Sequence, residues 1–187
     1  MNKLFSFFTM LLFFSIQVMA QNDEFILGLV RQSTAERVGL ANRTAARPGF
    51  AIGIRAGYDL NPKLITKIGL MIEQRSSTDI FFGVEHNPTT LNLELQTQVA
   101  YRYTDDFTIF AGPQFAFVMT KDCKPATGSC LIPDDPEKYI IPVQAGLNYT
   151  FYQNYAAAIY YESMSQEYWP NAFQKAQTFG LDLILKF

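Results

Sequence analysis

The lengths of the connectors between apolar, alternating segments constrain this fold more than any other feature. Three connectors are tight and turn-like: Leu60–Lys63, Thr104–Asp106 and Tyr152–Asn154. Four others are long and polar, covering roughly residues 34–47, 76–89, 121–138 and 166–176. Strict alternation of short and long connectors predicts eight strands that run up and down, with every turn at one end and every loop at the other.

Segment 91–103 shows the strand pattern most clearly. Its odd-numbered residues are apolar except Thr97, whereas its even-numbered residues include Glu94, Gln96 and Arg102. A period of two is that of a β-strand with two different faces. The same pattern predicts strands in the segments 50–58, 64–75, 139–151, 155–163 and 179–187.

Two further segments are less regular. Segment 107–120 is apolar on both faces, and we expect Ile109, Ala111, Phe115 and Phe117 to point outward and Gln114 inward. Pro113 lacks an N–H donor, so a bulge or local bend is expected there. The first strand is predicted at residues 25–33, where both parities hold apolar residues and leave its facing open.

The first twenty residues have the pattern of an export signal. A lysine at position 3 precedes the apolar run 4–16, and small residues stand at Val18 and Ala20. The run is too short to cross the roughly 30 Å of a bilayer core as a helix. The pattern predicts a cleaved signal peptide at residues 1–20 and one domain at 21–187.

The composition excludes some functional classes. Aromatic residues make up 15 % of the chain and charged residues only 17 %, yet mean hydropathy is near zero at +0.02. Two-faced strands produce such a balance without a long apolar block. The formal net charge is −2 and there is no basic run, so nothing indicates nucleic-acid binding.

Alternation alone does not decide which face is inside. A soluble, lipocalin-like barrel would enclose its apolar face around a ligand, whereas a membrane barrel turns that face to lipid. The polar face carries both signs of charge in near balance together with four glycines, Gly53, Gly57, Gly69 and Gly146. Aromatic residues gather at the short-turn end, as at a membrane interface. These patterns favour the membrane arrangement.

The chain resembles the small, porin-like outer-membrane β-barrel family. The resemblance covers residues 21–187 and is carried by segments 49–58, 110–115 and 179–187. It implies an all-β, eight-stranded, antiparallel up-and-down transmembrane barrel in a Gram-negative outer membrane. The terminal Phe187 resembles the signal that the barrel-assembly machinery reads. The family shares no catalytic residues, and an eight-stranded interior is only wide enough for side chains.

The charged residues of the polar face are the candidate site. They could line an ion or proton path, or pair with one another and plug the barrel, which we favour because an unpaired buried charge is costly. The predicted interior charges are Arg55, Lys67, Glu73, Arg75, Glu94, Arg102, Glu162, Asp182 and Lys186.

The long connectors hold the remaining candidates. Cys123 and Cys130 enclose a short loop, and in an exported protein this spacing predicts a disulfide rather than a metal site. His86, the only histidine, lies in the second connector without a recognisable nucleophile and is interpreted as a solvated loop residue. No catalytic residue, metal or cofactor is predicted.

The sequence thus predicts a non-enzymatic outer-membrane protein, structural or partner-binding through four extracellular loops. A narrow pore for ions or very small solutes is the main alternative. A soluble lipocalin-like binder and a lipid A-modifying enzyme are weaker ones. The expected partners are outer-membrane lipid, the assembly machinery and an extracellular partner of unspecified nature.

Overall fold

The computed structural model describes residues 22–36, 45–81, 84–125, 138–164 and 175–187. Their regular structure is entirely β. The strands are β1 (Asn22–Glu36), β2 (Ala45–Asn61), β3 (Leu64–Phe81), β4 (Val84–Arg102), β5 (Phe107–Pro125), β6 (Tyr139–Ile140), β7 (Pro142–Tyr152), β8 (Tyr155–Met164) and β9 (Lys175–Lys186). Within these ranges no helix has the length and apolarity needed to cross a membrane.

The strands form one closed antiparallel sheet. Each pairs with its neighbours in the chain, β1 pairs with β9, and β4 pairs with β5, so the sheet has no open seam. Segments β6 and β7 are two parts of one strand, separated at Ile141. The predicted eight-stranded up-and-down barrel is therefore confirmed.

The three predicted tight turns are confirmed. At Pro62–Lys63 the Asn61 side-chain oxygen accepts hydrogen bonds from the N–H groups of Lys63 (2.9 Å) and Leu64 (3.0 Å). At the next turn the Thr104 hydroxyl accepts from the N–H of Phe107 at 3.0 Å. Backbone bonds also link neighbouring hairpins at this end, including Phe187 N–H to the Asp23 carbonyl at 3.1 Å. The end with the turns is a continuous hydrogen-bonded rim.

The apolar face points out of the barrel, as predicted. Ile54, Ile68, Val99 and Ile159 are each more than half exposed, whereas the alternate positions are buried. The outward residues predicted in β5 (Ile109, Ala111, Phe115, Phe117) are exposed and Gln114 is buried. Such an apolar exterior is suited to lipid rather than to water.

The structure shows which residues of the first strand face the lumen. Glu24, Ile26 and Gly28 are buried, and Leu27 and Leu29 are exposed. A register shift follows Gly28 on both sides of the strand, which is a β-bulge at Leu29. The mixed parity of this segment has two causes: Ile26 is an apolar residue on the inward face, and the bulge changes the parity after Gly28.

Two local predictions require correction. At Pro113 the register between β4 and β5 is the same before and after the interruption, from Gln96–Gln114 to Val99–Ala111, so the ladder is broken without a bulge. The bulge of this strand pair lies instead at Met119. The connector predicted at 76–89 is largely strand, because β3 extends to Phe81 and β4 begins at Val84.

Candidate functional site

The candidate site is the polar interior of the barrel. Away from the bulges, alternate residues of the strands point into the lumen wherever their side chains are described, and many of these residues are charged or carry amides. The fully buried ones include Glu73, Asn92, Glu94, Gln96, Gln114, Gln144 and Glu162. Because buried polar groups are stable only when they are hydrogen-bonded, the interior has to be understood as a network.

One group, the turn-side cluster, consists of Glu24, Arg55 and Lys67. Glu24 accepts a hydrogen bond from Arg55 Nε at 2.7 Å and forms ion pairs with Arg55 Nη2 and Lys67 Nζ, both at 2.6 Å. All three side chains are at most 7 % exposed. One carboxylate thus holds two cations from different strands. Removing one member of such a buried pair costs about 3–5 kcal/mol in proteins generally.

A second group, the loop-side cluster, is centred on Arg75. Its guanidinium bonds Glu162 through Nη1 at 2.5 Å, and Glu94 and Glu73 through Nη2 at 2.7 and 3.4 Å. In the ring of eight strands β3 and β8 stand on opposite walls. The contact between Arg75 and Glu162 therefore crosses the full width of the lumen.

Three glutamines, the amide bridge, join the two clusters. Arg55 Nη1 donates to Gln98 Oε1 at 2.8 Å, and Gln98 Nε2 donates to Gln144 Oε1 at 2.8 Å. Gln114 Nε2 donates to the same Gln144 oxygen at 2.6 Å. The other end of the Gln114 amide lies 3.0 Å from Glu162 Oε2 and 3.2 Å from Glu94 Oε2. Hydrogen bonds thus run from Arg55 to Gln114, and the Gln114 amide oxygen ends this chain against two carboxyl groups of the loop-side cluster.

Small residues make room for these long side chains. A Cβ on Gly69 would lie 3.1 Å from Arg55 Cβ, so the arginine stem passes directly over this glycine. The ring of Tyr160 covers Gly180 in the same way, and any side chain there would displace it. Glycines on the inward face therefore allow bulky partners on the facing strands.

Of the nine charged residues predicted for the interior, six lie in the two clusters. Asp182 is also buried on the inward face of β9, at 4 % exposure. Lys186 is partly buried and donates to the Thr150 hydroxyl at 2.7 Å. Arg102 is not in the network. It donates to the Pro62 carbonyl at 2.8 Å and pairs with Asp59 at 3.4 Å at the turn-end rim, where both side chains are over a quarter exposed.

Glu24 is the residue that sequence reasoning missed. It lies just before the predicted start of the first strand, and the apolar residues on both parities hide the inward face there. The signal that could have found it is charge balance. Arg55 and Lys67 are diagonal neighbours on the inward faces of β2 and β3, and two buried cations need a buried anion.

The candidates in the connectors are only partly described. The backbone of His86 lies in β4 opposite Asp79, so the prediction that it is a loop residue was wrong. The backbone of Cys123 lies in β5 opposite Pro88, whereas Cys130 lies outside the described residues, and the disulfide stays a prediction. Residues 1–21, with the predicted signal peptide, are outside them too. No set of three or more His, Cys, Asp or Glu side chains within the described ranges could hold a metal ion.

Comparisons with known proteins give structural relatives alone. No family model and no curated protein matches the sequence. The attachment invasion locus protein Ail of Yersinia pestis is similar in structure at 13 % identity, over 90 % of this chain and 100 % of Ail, with a TM-score of 0.51. Its complex with the heparin analogue sucrose octasulfate gives 14 % identity, the same coverage and a TM-score of 0.53.

Neisserial surface protein A is similar at 12 % identity, over 89 % of this chain and 97 % of that one, with a TM-score of 0.54. At such identities the likeness concerns the path of the backbone. Together with the closed sheet and its apolar exterior, it identifies the fold of this chain as that of the small eight-stranded outer-membrane β-barrels.

Proposed function

We propose that this chain is a non-enzymatic outer-membrane protein with a plugged interior, and that its four loops serve a structural or partner-binding role outside the cell. In this arrangement both chain termini and the three tight turns face the periplasm. The predicted export signal at residues 1–20 and the apolar exterior support the location.

The main observation in favour of a plugged interior is the ion pair between Arg75 and Glu162, which crosses the lumen. Because β3 and β8 are opposite strands, this contact occupies the middle of the channel cross-section. The amide bridge lies next to it, linking β4, β5 and β7. An eight-stranded barrel leaves room for little besides such side chains.

The plug is tested by conductance in planar lipid bilayers. We expect the wild-type protein to give no stable current at low voltage, since ions would have to displace paired charges. The double variant Arg75→Ala with Glu162→Ala should open a measurable conductance, whereas Lys121→Ala, an exposed position, should not. A steady wild-type current carried by small ions would instead favour the narrow pore.

A partner-binding role for the loops is supported by the height of the strands below them. Strands β2 to β5 have 17 to 19 residues, whereas about 9–11 suffice to cross a membrane. The excess lies at the loop end, because the tight turns close the other end. It continues as paired strand, with Ser76 opposite Thr89 and Thr90 opposite Lys121. Paired strands would hold the connectors away from the bilayer.

The loop role is tested with cells that display either the intact protein or forms with residues 126–137 or 165–174 replaced by short Gly-Ser linkers. The probe is an immobilised heparin analogue, because Ail has been crystallised in complex with a ligand of this class. Binding that is lost on trimming supports a partner role for this ligand class. Absence of binding combined with weakened resistance of the envelope to detergent after trimming supports the structural role.

A further inference from the structure

The hydrogen-bond direction of the amide bridge leads to an inference about protonation inside the barrel. Arg55 carries only N–H donors, so the Gln98 atom that it contacts has to be the amide oxygen. Gln98 then presents its NH2 group to Gln144, whose facing atom has to be the oxygen. The direction of the bridge is therefore set by Arg55.

The same reasoning determines the orientation of the Gln114 amide. Its contact with the Gln144 oxygen, at 2.6 Å, has to be made by its own NH2 group. Its amide oxygen is then the atom directed at Glu162 Oε2 and Glu94 Oε2, at 3.0 and 3.2 Å, and it faces only acceptors. Turning this amide over would place two oxygens 2.6 Å apart at Gln144. Turning the amide over therefore leaves two amide oxygens in contact whatever the carboxyl groups carry, whereas the first orientation is satisfied when one of the two carboxyl groups carries a proton.

The net charge of the loop-side cluster also indicates that one of its carboxyl groups carries a proton. Three carboxyl groups surround one guanidinium, all with side chains at most 3 % exposed. Glu94 and Glu73 both approach Arg75 Nη2, at 2.7 and 3.4 Å, so these two carboxyl groups lie close together. An excess of like charge without water is costly, and neutralising one group relieves it.

Two buried amides flank Glu94 on β4. Asn92 and Gln96 are at most 1 % exposed, and neither side chain has a hydrogen-bond partner within the described part of the chain. Neither amide therefore compensates the charge of the carboxylates. Glu94 is the acid that lies nearest to both amides along the strand, and its two carboxyl oxygens also contact Arg75 at 2.7 Å and the Gln114 oxygen at 3.2 Å.

We propose that the loop-side cluster binds a proton at neutral pH and that Glu94 holds it. The proton comes from the surrounding water, forms an O–H bond with Oε2 of Glu94 and is donated to the Gln114 amide oxygen, 3.2 Å away. No other bond changes. The proposal rests on the plugged interior put forward above, since water in an open lumen would satisfy the same groups.

The test is the infrared spectrum of the folded protein in detergent or lipid, in heavy water. A protonated carboxyl group gives a carbonyl stretch that ionised carboxylates lack. We expect this band at neutral pH in the wild type and in Glu24→Gln, which removes the acid of the turn-side cluster. It should be absent in Glu94→Gln. No band in the wild type would overturn the proposal, and so would an unchanged band in Glu94→Gln.

Stability against pH provides a second readout. Raising the pH removes the proton and adds a charge among Glu73 and Arg75 of β3 and Glu162 of β8. From β5 and β7, the described side chains in this network are the neutral Gln114 and Gln144. The wild-type unfolding temperature should therefore fall in alkaline buffer, and that of Glu94→Gln should fall less. Equal losses in both proteins would contradict the proposal.

The two proposals fail separately. If the wild type conducts no current and shows no carbonyl band, the proton proposal is wrong and the plugged interior is still supported. If the wild type conducts current and the band is present, the proposal of a plugged interior is wrong. The band then has to be explained by a protonated acid in an open lumen. If Glu94→Gln does not fold, the wild-type spectrum still decides whether a buried carboxyl group is protonated.

Discussion

Arg75 and Arg102 show how different two inward-facing arginines can be. Arg75 has a side chain 3 % exposed and contacts three carboxyl groups, whereas Arg102 lies at the rim at 28 % exposure with one distant acid. Burial decides how much each arginine contributes to the free energy of unfolding, because a buried charge that loses its partner cannot be solvated.

We expect Arg75→Ala to lower the free energy of unfolding by about 3–5 kcal/mol, since it leaves three carboxyl groups without a cation. Arg102→Ala should cost at most about 1 kcal/mol, as for other partly exposed pairs. The measurement is urea unfolding in detergent, followed by tryptophan fluorescence or by the heat-dependent shift in gel mobility. Equal losses of unfolding free energy in the two variants would show that Arg75 is not held in a buried network.

At this scale the sequence predicts most of the interior but not its pairing. Period-two parity assigns Glu73, Glu94 and Glu162 to the lumen because each stands in a regular strand. Parity does not find Glu24, because the inward face of β1 also carries the apolar Ile26 and the Leu29 bulge changes the parity after Gly28. It also cannot distinguish the rim from the middle of a strand, which is why Arg102 was grouped with the buried charges.

At the scale of elements, β4 and β5 approach each other closely. Gly112 faces the lumen, and a Cβ there would overlap the backbone carbonyl of Thr97. This is the place where the ladder is interrupted beside Pro113, whose carbonyl accepts a bond from the Thr97 hydroxyl at 3.0 Å. Here only a residue without a side chain fits between the strands.

Gly112→Ala should therefore destabilise the barrel by about 1–3 kcal/mol, the usual cost of overpacking. The matched control is Ala111→Val, the neighbouring residue on the exposed lipid-facing side. It should leave the thermal unfolding temperature nearly unchanged. A harmless Gly112→Ala would show that the two strands can separate freely at this point.

The loop-side ends of the strands were the least predictable elements. Alternation fades beyond the lipid because both faces of a strand meet polar surroundings there, and polar residues around 76–89 were interpreted as a loop. Backbone pairing does not depend on alternation, so β3 and β4 continue through it.

This hairpin can be shortened at a defined place. Ser76 and Thr89 face each other, so replacing residues 77–88 by Asn-Gly should give a two-residue turn that suits antiparallel strands. We expect the shortened protein to fold and to melt within a few degrees of the wild type, judged by gel mobility after stepwise heating. Failure to fold would mean that the extension supports the barrel itself.

For the whole molecule, the closing seam between β9 and β1 joins the two ends of the chain. Phe187 is 71 % exposed and contributes one backbone bond to Asp23, so its side chain adds little to the stability of the closed barrel. Its predicted role is in assembly, before closure.

Phe187→Ala should accordingly reduce the fraction of protein that reaches the membrane as folded barrel in cells. The unfolding temperature of protein refolded in detergent should stay the same. Tyr152→Ala, an aromatic residue exposed at the same end, is the matched control and should affect neither quantity. A lower unfolding temperature for Phe187→Ala would indicate a structural role instead.

The length of strands β2 to β5 has a further consequence. They have 17 to 19 residues, about eight more than the 9–11 that suffice to cross a membrane, so the wall that they form extends roughly 15–20 Å beyond the bilayer core for tilted strands. The height of that wall depends on main-chain pairing and not on which side chains it carries. Surface-exposed substitutions could therefore accumulate along it and alter what an antibody or phage recognises, while the elevation of the recognised site above the head groups would be preserved.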